Sequence, residues 1–352
     1  MVLNSRVLFE ESIKSEKTLK AYTWYVQKFV NYYKLKDFDS ILKIPKEELQ
    51  DMILTYVIHT KKRVSPNSIS NFMKPIKLFL DVNEIELKWK KISRLYPAKV
   101  KASGDSAWQT KDVQKMLDST TSLKNKAIIH FLASTGVRVG ALTDLRLRHL
   151  RDMPDNCKMV LVYEDSIEEY KTFLTPESST ALDDYLDERK QLGEVFHNDS
   201  ILFRAHFVLV FSKPKPMTTK SIQSVIIRAE TNSGIRGQKK NGRYATQSAH
   251  GFRKRFNTIL KLNSSVNDSA IEKMMGHKNG VQGVYFQATT EKLFEEFQRG
   301  IMDLTIDQTE KQKLTILTLE QEKDNQLKDM QAQIDSVMEL LDRKDKLTSK
   351  NS

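Results

Sequence analysis

Six side chains that can bind phosphate or transfer protons lie in four short segments of the chain. Arg138 stands two residues after Gly136, where one predicted helix stops, and its planar guanidinium can present paired N–H groups to a phosphate. His250 and Arg253 are three residues apart, so they share one face if their segment is helical. The histidine can exchange protons near neutral pH, and the arginine can hold a phosphate in a bidentate contact.

The other two segments carry a histidine, a tyrosine and a lysine. His277 follows Gly276 at the end of a predicted helix, and Tyr285 comes eight residues later. Lys171 lies on the return arm of a predicted hairpin. Considered alone, each of the six residues also has an ordinary structural interpretation: a surface arginine, a basic helix face, a half-buried tyrosine or a solvated lysine.

The composition argues against several other kinds of chemistry. Cys157 is the single cysteine, which excludes a disulfide framework and a cysteine-rich zinc site and fits a reducing, cytoplasmic compartment. The histidines show no metal-ligand spacing, and the sequence contains no P-loop, H-E-x-x-H or G-x-S-x-G motif. Asp183, Asp184, Asp187 and Glu188 cluster at helical spacings and are interpreted as a solvated face. We therefore expect neither a metal nor a cofactor.

The charge of the chain favours a polyanionic partner. The 57 Lys+Arg exceed the 45 Asp+Glu and give a net charge of +12. The surplus lies in residues 1–104, with 20 basic and 11 acidic residues, and in residues 213–255, with 11 and 1. Two basic blocks separated in sequence are compatible with the two sides of a clamp on a duplex, but charge alone does not distinguish a clamp from a generally basic protein. No apolar run reaches the roughly 18 residues of a membrane span, and the N-terminus lacks the apolar stretch of a signal peptide.

The periodicity predicts a small helical domain over residues 1–100. Apolar residues recur at spacings of three and four from Leu19 to Val30, which is typical of an amphipathic helix. Pro75 is expected to kink a later helix. A linker rich in small polar residues then ends near Ala107.

Residues 106–304 predict a second domain that is mostly helical. Thr110 is expected to cap its first helix, and Gly136 is expected to end its second. Two β-prone runs around a polar turn predict a hairpin over residues 158–174. The fold class is therefore mainly α with a small antiparallel sheet.

The tail, residues 305–352, predicts one further helix. Its apolar residues step by three and four, which is typical of a short coiled-coil seam. A single amphipathic helix packed on its own domain would show the same pattern. The seam comprises Leu327, Met330, Ile334, Val337 and Leu341.

Taken together, the motifs resemble those of the tyrosine recombinase (phage integrase) family. STGVRVGAL, with Arg138, is similar to the first arginine box of that family, HGFR to its H-x-x-R box, and MGH followed by a tyrosine to its final box. The segment VYEDSIEEYKTFLTPE looks most like the hairpin of archaeal viral and plasmid integrases. Ala141 stands where the first box usually carries a supporting glutamate, a departure that leaves the reacting groups in place.

The resemblance implies a recombinase that cuts DNA without a metal. Tyr285 would attack the scissile phosphate and form a covalent 3′-phosphotyrosyl link. Arg138 and Arg253 would bind the non-bridging oxygens, and His277 would hydrogen-bond the phosphate. The link conserves the bond energy, so the 5′-hydroxyl of another strand can reverse the step without ATP.

The resemblance also implies two groups that move protons. His250 would assist proton transfer at Tyr285, and Lys171 would protonate the departing 5′-oxygen. Many relatives carry this lysine near the hairpin tip, but the tip here reads Glu-Asp-Ser over residues 164–166. Lys171 fits a placement that some members use, and Lys158 is a poorer candidate at the start of the outgoing strand.

The family resemblance further implies a tetramer acting on two duplex DNA sites, most simply as the integrase of a mobile element. The helix over residues 291–297 has an apolar face, formed by Leu293, Phe294 and Phe297, that is suited to docking on a neighbouring protomer. The alternative is a DNA-binding protein of the same fold that recombines weakly or not at all.

Overall fold

The computed structural model describes residues 4–100, 106–205, 214–239, 243–277 and 288–348. The chain divides into two compact units, Met1–Lys101 and Ala102–Ser352, and each is described by itself. The predicted fold class, mainly α with one small antiparallel sheet, is confirmed.

The N-terminal unit is helical throughout its described elements. Helix α2 buries Val26, Phe29 and Val30 of the predicted stripe in one apolar cluster with residues of α5. Pro75 lies inside α5, which continues through it. The helices are α1 (Ser5–Glu11), α2 (Glu16–Tyr32), α3 (Asp39–Leu42), α4 (Lys46–Lys61), α5 (Ile69–Val82) and α6 (Trp89–Ser93).

Helices also dominate the second unit, which contains the sheet. Its helices are α7 (Thr110–Asp118), α8 (Leu123–Thr135), α9 (Pro176–Gln191), α10 (Thr219–Asn232), α11 (Ser248–Leu262), α12 (Asp268–Met274), α13 (Thr290–Gln298), α14 (Ile301–Leu304) and α15 (Gln308–Thr348). Its strands are β1 (Leu150–Met153), β2 (Cys157–Val162) and β3 (Tyr170–Leu174).

The structure contradicts the predicted cap at the start of α7 and confirms the predicted end of α8. Thr110 does not cap α7: the N-cap is Gln109, whose backbone N–H donates to the Asp112 carboxylate at 3.2 Å, and Thr110 is the first helical residue. Gly136 does end α8, as predicted. It adopts a left-handed conformation with φ of 57°, which a glycine reaches at no steric cost.

The predicted hairpin is formed by β2 and β3, whose register pairs Lys171 with Leu161. Strand β1 extends this hairpin to a three-stranded antiparallel sheet in the order β1-β2-β3. The sequence analysis missed β1 because its four residues, LRDM, show little β-prone patterning.

The prediction that residues 291–297 dock on a neighbouring protomer is wrong for this structure. Leu293, Phe294 and Phe297 are buried in a core cluster of their own domain. The ring of Phe173 on β3 lies 5.3 Å from that of Phe294 and 5.4 Å from that of Phe297. The apolar face of α13 is therefore already covered by the sheet.

The tail helix α15 is attached at its beginning and exposed farther along. The buried Glu177 carboxylate accepts the backbone N–H groups of Ile306 at 2.7 Å and Asp307 at 3.1 Å. The predicted seam residues Leu327, Met330 and Ile334 are exposed, so their packing on the same domain is excluded. The side chains of the other two seam residues lie outside the described set. Within the described residues, no helix combines the length and apolar character that crossing a bilayer requires.

Candidate active site

Three predicted site residues line one cleft of about 390 Å³. Gly136 ends α8 and turns the chain, so that Arg138 follows in a short loop. His250 and Arg253 lie one turn apart on α11. All three side chains line the cleft, which makes it a cationic site of the size and charge that a phosphodiester needs.

The guanidinium of Arg253 joins three segments of the second unit. Its Nη1 donates to the carbonyl of Gly136 at 2.9 Å, and its Nη2 donates to the carbonyl of Met275 at 2.6 Å and contacts Nε2 of His277 at 2.7 Å. Arg253 is buried, which lowers its pKa from the ordinary value, but an arginine keeps its charge in a protein. The charge is therefore held at a fixed position before any substrate arrives.

The contacts of His277 determine which of its ring nitrogens carries the proton. A guanidinium only donates hydrogen bonds, so Nε2 of His277 accepts from Arg253. The proton then belongs on Nδ1, which donates to the carboxylate of Glu272. Burial alone would raise the pKa of Glu272, but hydrogen bonds from Lys261 and His277 lower it below the usual value. Glu272 is an orienting partner that the sequence analysis missed, and its position five residues before His277 on a predicted helix was the available signal.

His250 is set up to be neutral in the free protein. Partial loss of water around the ring lowers its pKa, and the positive charges of Lys254, Arg253 and Arg138 lower it further. A neutral imidazole beside fixed positive charges can accept a proton. His250, Arg253 and His277 also line a second cleft of about 680 Å³, which shares His250 and Arg253 with the first.

Tyr170 is a second residue that the sequence analysis missed. Its hydroxyl is buried near the guanidinium of Arg253; burial raises the pKa of Tyr170 to about 12, and the charge of Arg253 acts against that shift. Its ring packs against Gly276, where an added Cβ would overlap the ring. Tyr170 thus supports the turn that joins the Met275 carbonyl to His277. Its place directly before Lys171 was the only available signal.

Lys171 lies on the other face of the same strand. Successive side chains of a strand point to opposite faces, so Lys171 points away from the side that Tyr170 occupies. Its ammonium donates to Oγ1 of Thr290, at the start of α13, at 2.7 Å. Lys171 is not among the described residues that line either cleft.

The alternative lysine, Lys158, is held by carboxylates. Its Nζ lies 2.9 Å from Asp152 and 3.2 Å from Asp183. Burial would lower the pKa of Lys158, but these two partners raise it above the usual value. Lys158 is therefore a poor proton donor in this structure.

Tyr285 lies outside the described residues, in the segment 278–287. The described chain before this segment ends at His277, which contacts Arg253. It resumes at Ala288, two residues before Thr290, which contacts Lys171. Both ends of the segment that carries Tyr285 therefore adjoin predicted site residues. Among the described residues, no group of His, Cys, Asp or Glu could hold a metal ion.

Comparison with known proteins identifies the family. A model of the phage integrase family matches residues 108–291. The chain belongs to this family. The matched span, which covers more than half of the chain, contains all six predicted site residues, and the predicted resemblance is confirmed.

The solved structures most relevant here are DNA complexes of similar fold. The Tn1549 transposon integrase with circular intermediate DNA has a TM-score of 0.54 and 16% identity, over 83% of this chain and 98% of that one. The XerH site-specific recombinase bound to difH has a TM-score of 0.52 and 17% identity, over 79% and 78%. A lambda integrase tetramer bound to a Holliday junction has a TM-score of 0.52 and 15% identity, over 82% and 78%. At these identities the likeness shows the fold. No curated protein sequence matches the chain.

Proposed function

We propose that this member of the phage integrase family is a site-specific DNA recombinase that works through a 3′-phosphotyrosyl intermediate. The observation that carries the proposal is the convergence of Arg138, His250, Arg253 and His277 around one cationic site. The two guanidinium groups, of which that of Arg253 is fixed by its contacts, can neutralise the charge that develops on the non-bridging oxygens when a phosphodiester is attacked. A neutral histidine beside them can accept the proton of the nucleophile.

The proposed reaction exchanges one phosphodiester for another. The hydroxyl oxygen of Tyr285 attacks phosphorus and passes its proton to His250, while the bond from phosphorus to the 5′-oxygen breaks. Lys171 gives a proton to the departing 5′-oxygen. The 5′-hydroxyl of another strand then attacks the phosphotyrosine, and the two proton transfers run in reverse. No external energy source is needed because one phosphodiester-type bond replaces another.

The supply of positive charge supports a DNA substrate. Lys215, Lys220, Arg228 and Lys239 of the second basic block are exposed in the described residues. Contacts of such side chains with phosphates supply most of the sequence-independent affinity for DNA. We assign duplex attachment sites as the substrate, both basic blocks as DNA contacts, and the cytoplasm as the place of action.

The proposed assembly is a tetramer on two duplexes, because each protomer cuts one strand and a complete exchange needs four cuts. The lambda integrase tetramer on a Holliday junction supports this assignment by its fold. The proposed biological role is integration or excision of a mobile element, in keeping with the transposon integrase of similar fold.

The direct test is covalent capture on nicked duplexes. A pool of duplexes with randomised sequence, each nicked close to the potential cleavage positions, loses a short fragment on cutting and traps the intermediate. The wild-type protein is expected to give an adduct that survives denaturation and disappears on protease treatment, and Tyr285→Phe to give none. Tyr32→Phe, in an exposed position of the N-terminal unit, is the matched control and should retain the adduct. An unchanged adduct in Tyr285→Phe would overturn the proposal.

A second candidate function is DNA binding with weak or absent recombination. The observation that favours it is the position of Lys171, which bonds to Thr290 on the opposite face of β3 from Tyr170. Without a proton for the leaving oxygen, cleavage would be slow. A wild-type protein that shifts the DNA pool on a native gel and forms no adduct would place this candidate first.

A further inference from the structure

The tail helix carries an exposed apolar stripe that is longer than the predicted seam. Exposed apolar residues continue toward the domain beyond Leu327. Apart from Leu317, which lies about 100° from Ile316 around the helix, they align with the seam in rows that repeat every eleven residues: Ile316, Leu327 and Met338 in one row, Leu319 and Met330 in another. An eleven-residue repeat corresponds to about 3.67 residues per turn, close to the 3.6 of a straight α-helix. The stripe therefore stays on one face of α15 without strong supercoiling.

The geometry of the stripe is that of a packing surface. At 100° per residue, its members fall within an arc of about 100° and extend over about 33 Å. They are between 49% and 63% exposed, which is high for apolar side chains on one face of a regular helix. Such a helix gains most of its stability by burying its apolar face, so the stripe needs a partner.

The charges of the tail exclude two classes of partner. Residues 305–352 hold 8 Lys+Arg and 10 Asp+Glu, so the tail is not attracted to DNA phosphates. A helix that lies on an anionic membrane carries a basic polar face, which this tail lacks. The remaining class of partner is a protein, whose surface must be able to pack against an apolar stripe.

The flanks of the stripe favour a second copy of the same helix. The positions beside Leu327, Met330 and Ile334 are the amides Gln326, Gln331 and Gln333, so two copies can approach along this stretch without like-charge repulsion. The stripe is interrupted by Glu320 and Lys323, which lie one turn apart. In a parallel pair each of these residues faces its own counterpart, and Glu320 of one copy lies one turn from Lys323 of the other, so pairing of these opposite charges across the interface offsets the repulsion in the two layers.

We propose that α15 pairs with α15 of a second copy of this chain through the stripe of Ile316, Leu319, Leu327, Met330, Ile334 and Met338. The contact is made by the free protein, before and independently of any contact with DNA. The pairing of the two tail helices joins the chains and does not displace α13. The apolar face of α13 stays buried in its own domain. The proposal does not rest on the recombinase chemistry.

The test is the mass of the full-length protein in solution without DNA, measured by sedimentation over a series of concentrations. The wild type is expected to move from 40.8 kDa toward twice that mass as concentration rises. The double variant Leu327→Asp with Ile334→Asp should remain at 40.8 kDa. The matched control carries Ala332→Asp and Ser336→Asp, which add the same charge to the opposite face of the helix and should leave the dimer intact.

A shortened protein separates the stripe from the attachment of the tail. Truncation after Thr315 keeps the amides of Ile306 and Asp307 on Glu177 and keeps Leu314 against the domain core, while it removes the whole stripe. This protein is expected to be monomeric. A wild-type mass that stays at 40.8 kDa at every concentration, or a dimer that survives the Leu327→Asp, Ile334→Asp change, would overturn the proposal.

Discussion

The two faces of strand β3 serve different sides of the candidate active site. Tyr170 lies on one face, packs against Gly276 and adjoins the guanidinium of Arg253. Lys171, the next residue, lies on the other face and bonds to Thr290. One strand therefore separates the proposed phosphate-binding groups from the candidate proton donor. The comparison teaches that residues adjacent in sequence can contact different parts of the domain, because the period of a strand is two.

The largest expected effect is on the phosphate-binding side. Arg253→Lys keeps a positive charge but removes the planar fork that contacts two carbonyl groups and His277. We expect the rate of covalent adduct formation to fall by about 10² to 10³, as for the loss of a fixed donor to a developing oxyanion. Single-turnover rates of adduct formation on the nicked duplex measure this loss. A change of less than about threefold would show that the guanidinium contacts are unimportant for the reaction.

The next effect concerns the proton donor. Lys171→Ala should slow adduct formation by about 10² or more, within the range of general acid catalysis. In a substrate whose leaving 5′-oxygen is replaced by sulfur, the thiolate departs without a proton. This substrate should therefore restore the cleavage rate of Lys171→Ala but not that of Arg253→Lys. Lys158→Ala, which removes a lysine paired with two carboxylates, is the matched control. Equal defects on both substrates would assign Lys171 a structural role.

A smaller effect is expected for the neutral histidine. His250→Asn should lower the rate of adduct formation by about 10². It should also remove the fall of that rate at acidic pH. Because the pKa of His250 is lowered from 6.5, the wild-type rate should rise as pH increases through a value below 6.5 and then become constant. Adduct rates from acid to neutral pH measure this profile. A rise centred above 6.5 would contradict the assignment of His250 as the base.

The smallest effect tests the support that Tyr170 provides. Gly276→Ala and Gly234→Ala both place a methyl group at a positive φ, 63° and 71°, but only the first meets a side chain, the ring of Tyr170. We expect Gly276→Ala to lower the free energy of unfolding by about 1 to 3 kcal/mol more than Gly234→Ala does. Denaturant titration measures the difference. Equal losses would show that the ring of Tyr170 yields without cost.

The sequence motifs selected four residues that the structure brings together. Arg138, His250, Arg253 and His277 could be selected because each lies in a short family motif, and helical spacing places His250 and Arg253 on one face. The partners of these residues were not predictable in the same way. Glu272 lies five residues before His277 but outside the MGH motif. Tyr170 lies inside the hairpin segment, but its role comes from packing on Gly276, which is distant in sequence.

Amphipathic patterns predicted helices but not what covers them. The apolar faces of α13 and α15 look alike in sequence, yet Phe294 and Phe297 are buried against Phe173 whereas Leu327 and Met330 are exposed. Periodicity gives the direction of a face along its own helix, and tertiary packing decides its partner. The same limit applies to β1, which is a strand because it pairs with β2.

The central claim is that Tyr285 becomes covalently bound to DNA at this cationic site. The most direct measurement is mass spectrometry of the trapped adduct after digestion of both the protein and the DNA. The account predicts a peptide that contains Tyr285 and carries a nucleotide through its 3′-phosphate. A nucleotide linked to any other residue, or linked through a 5′-phosphate, would contradict it.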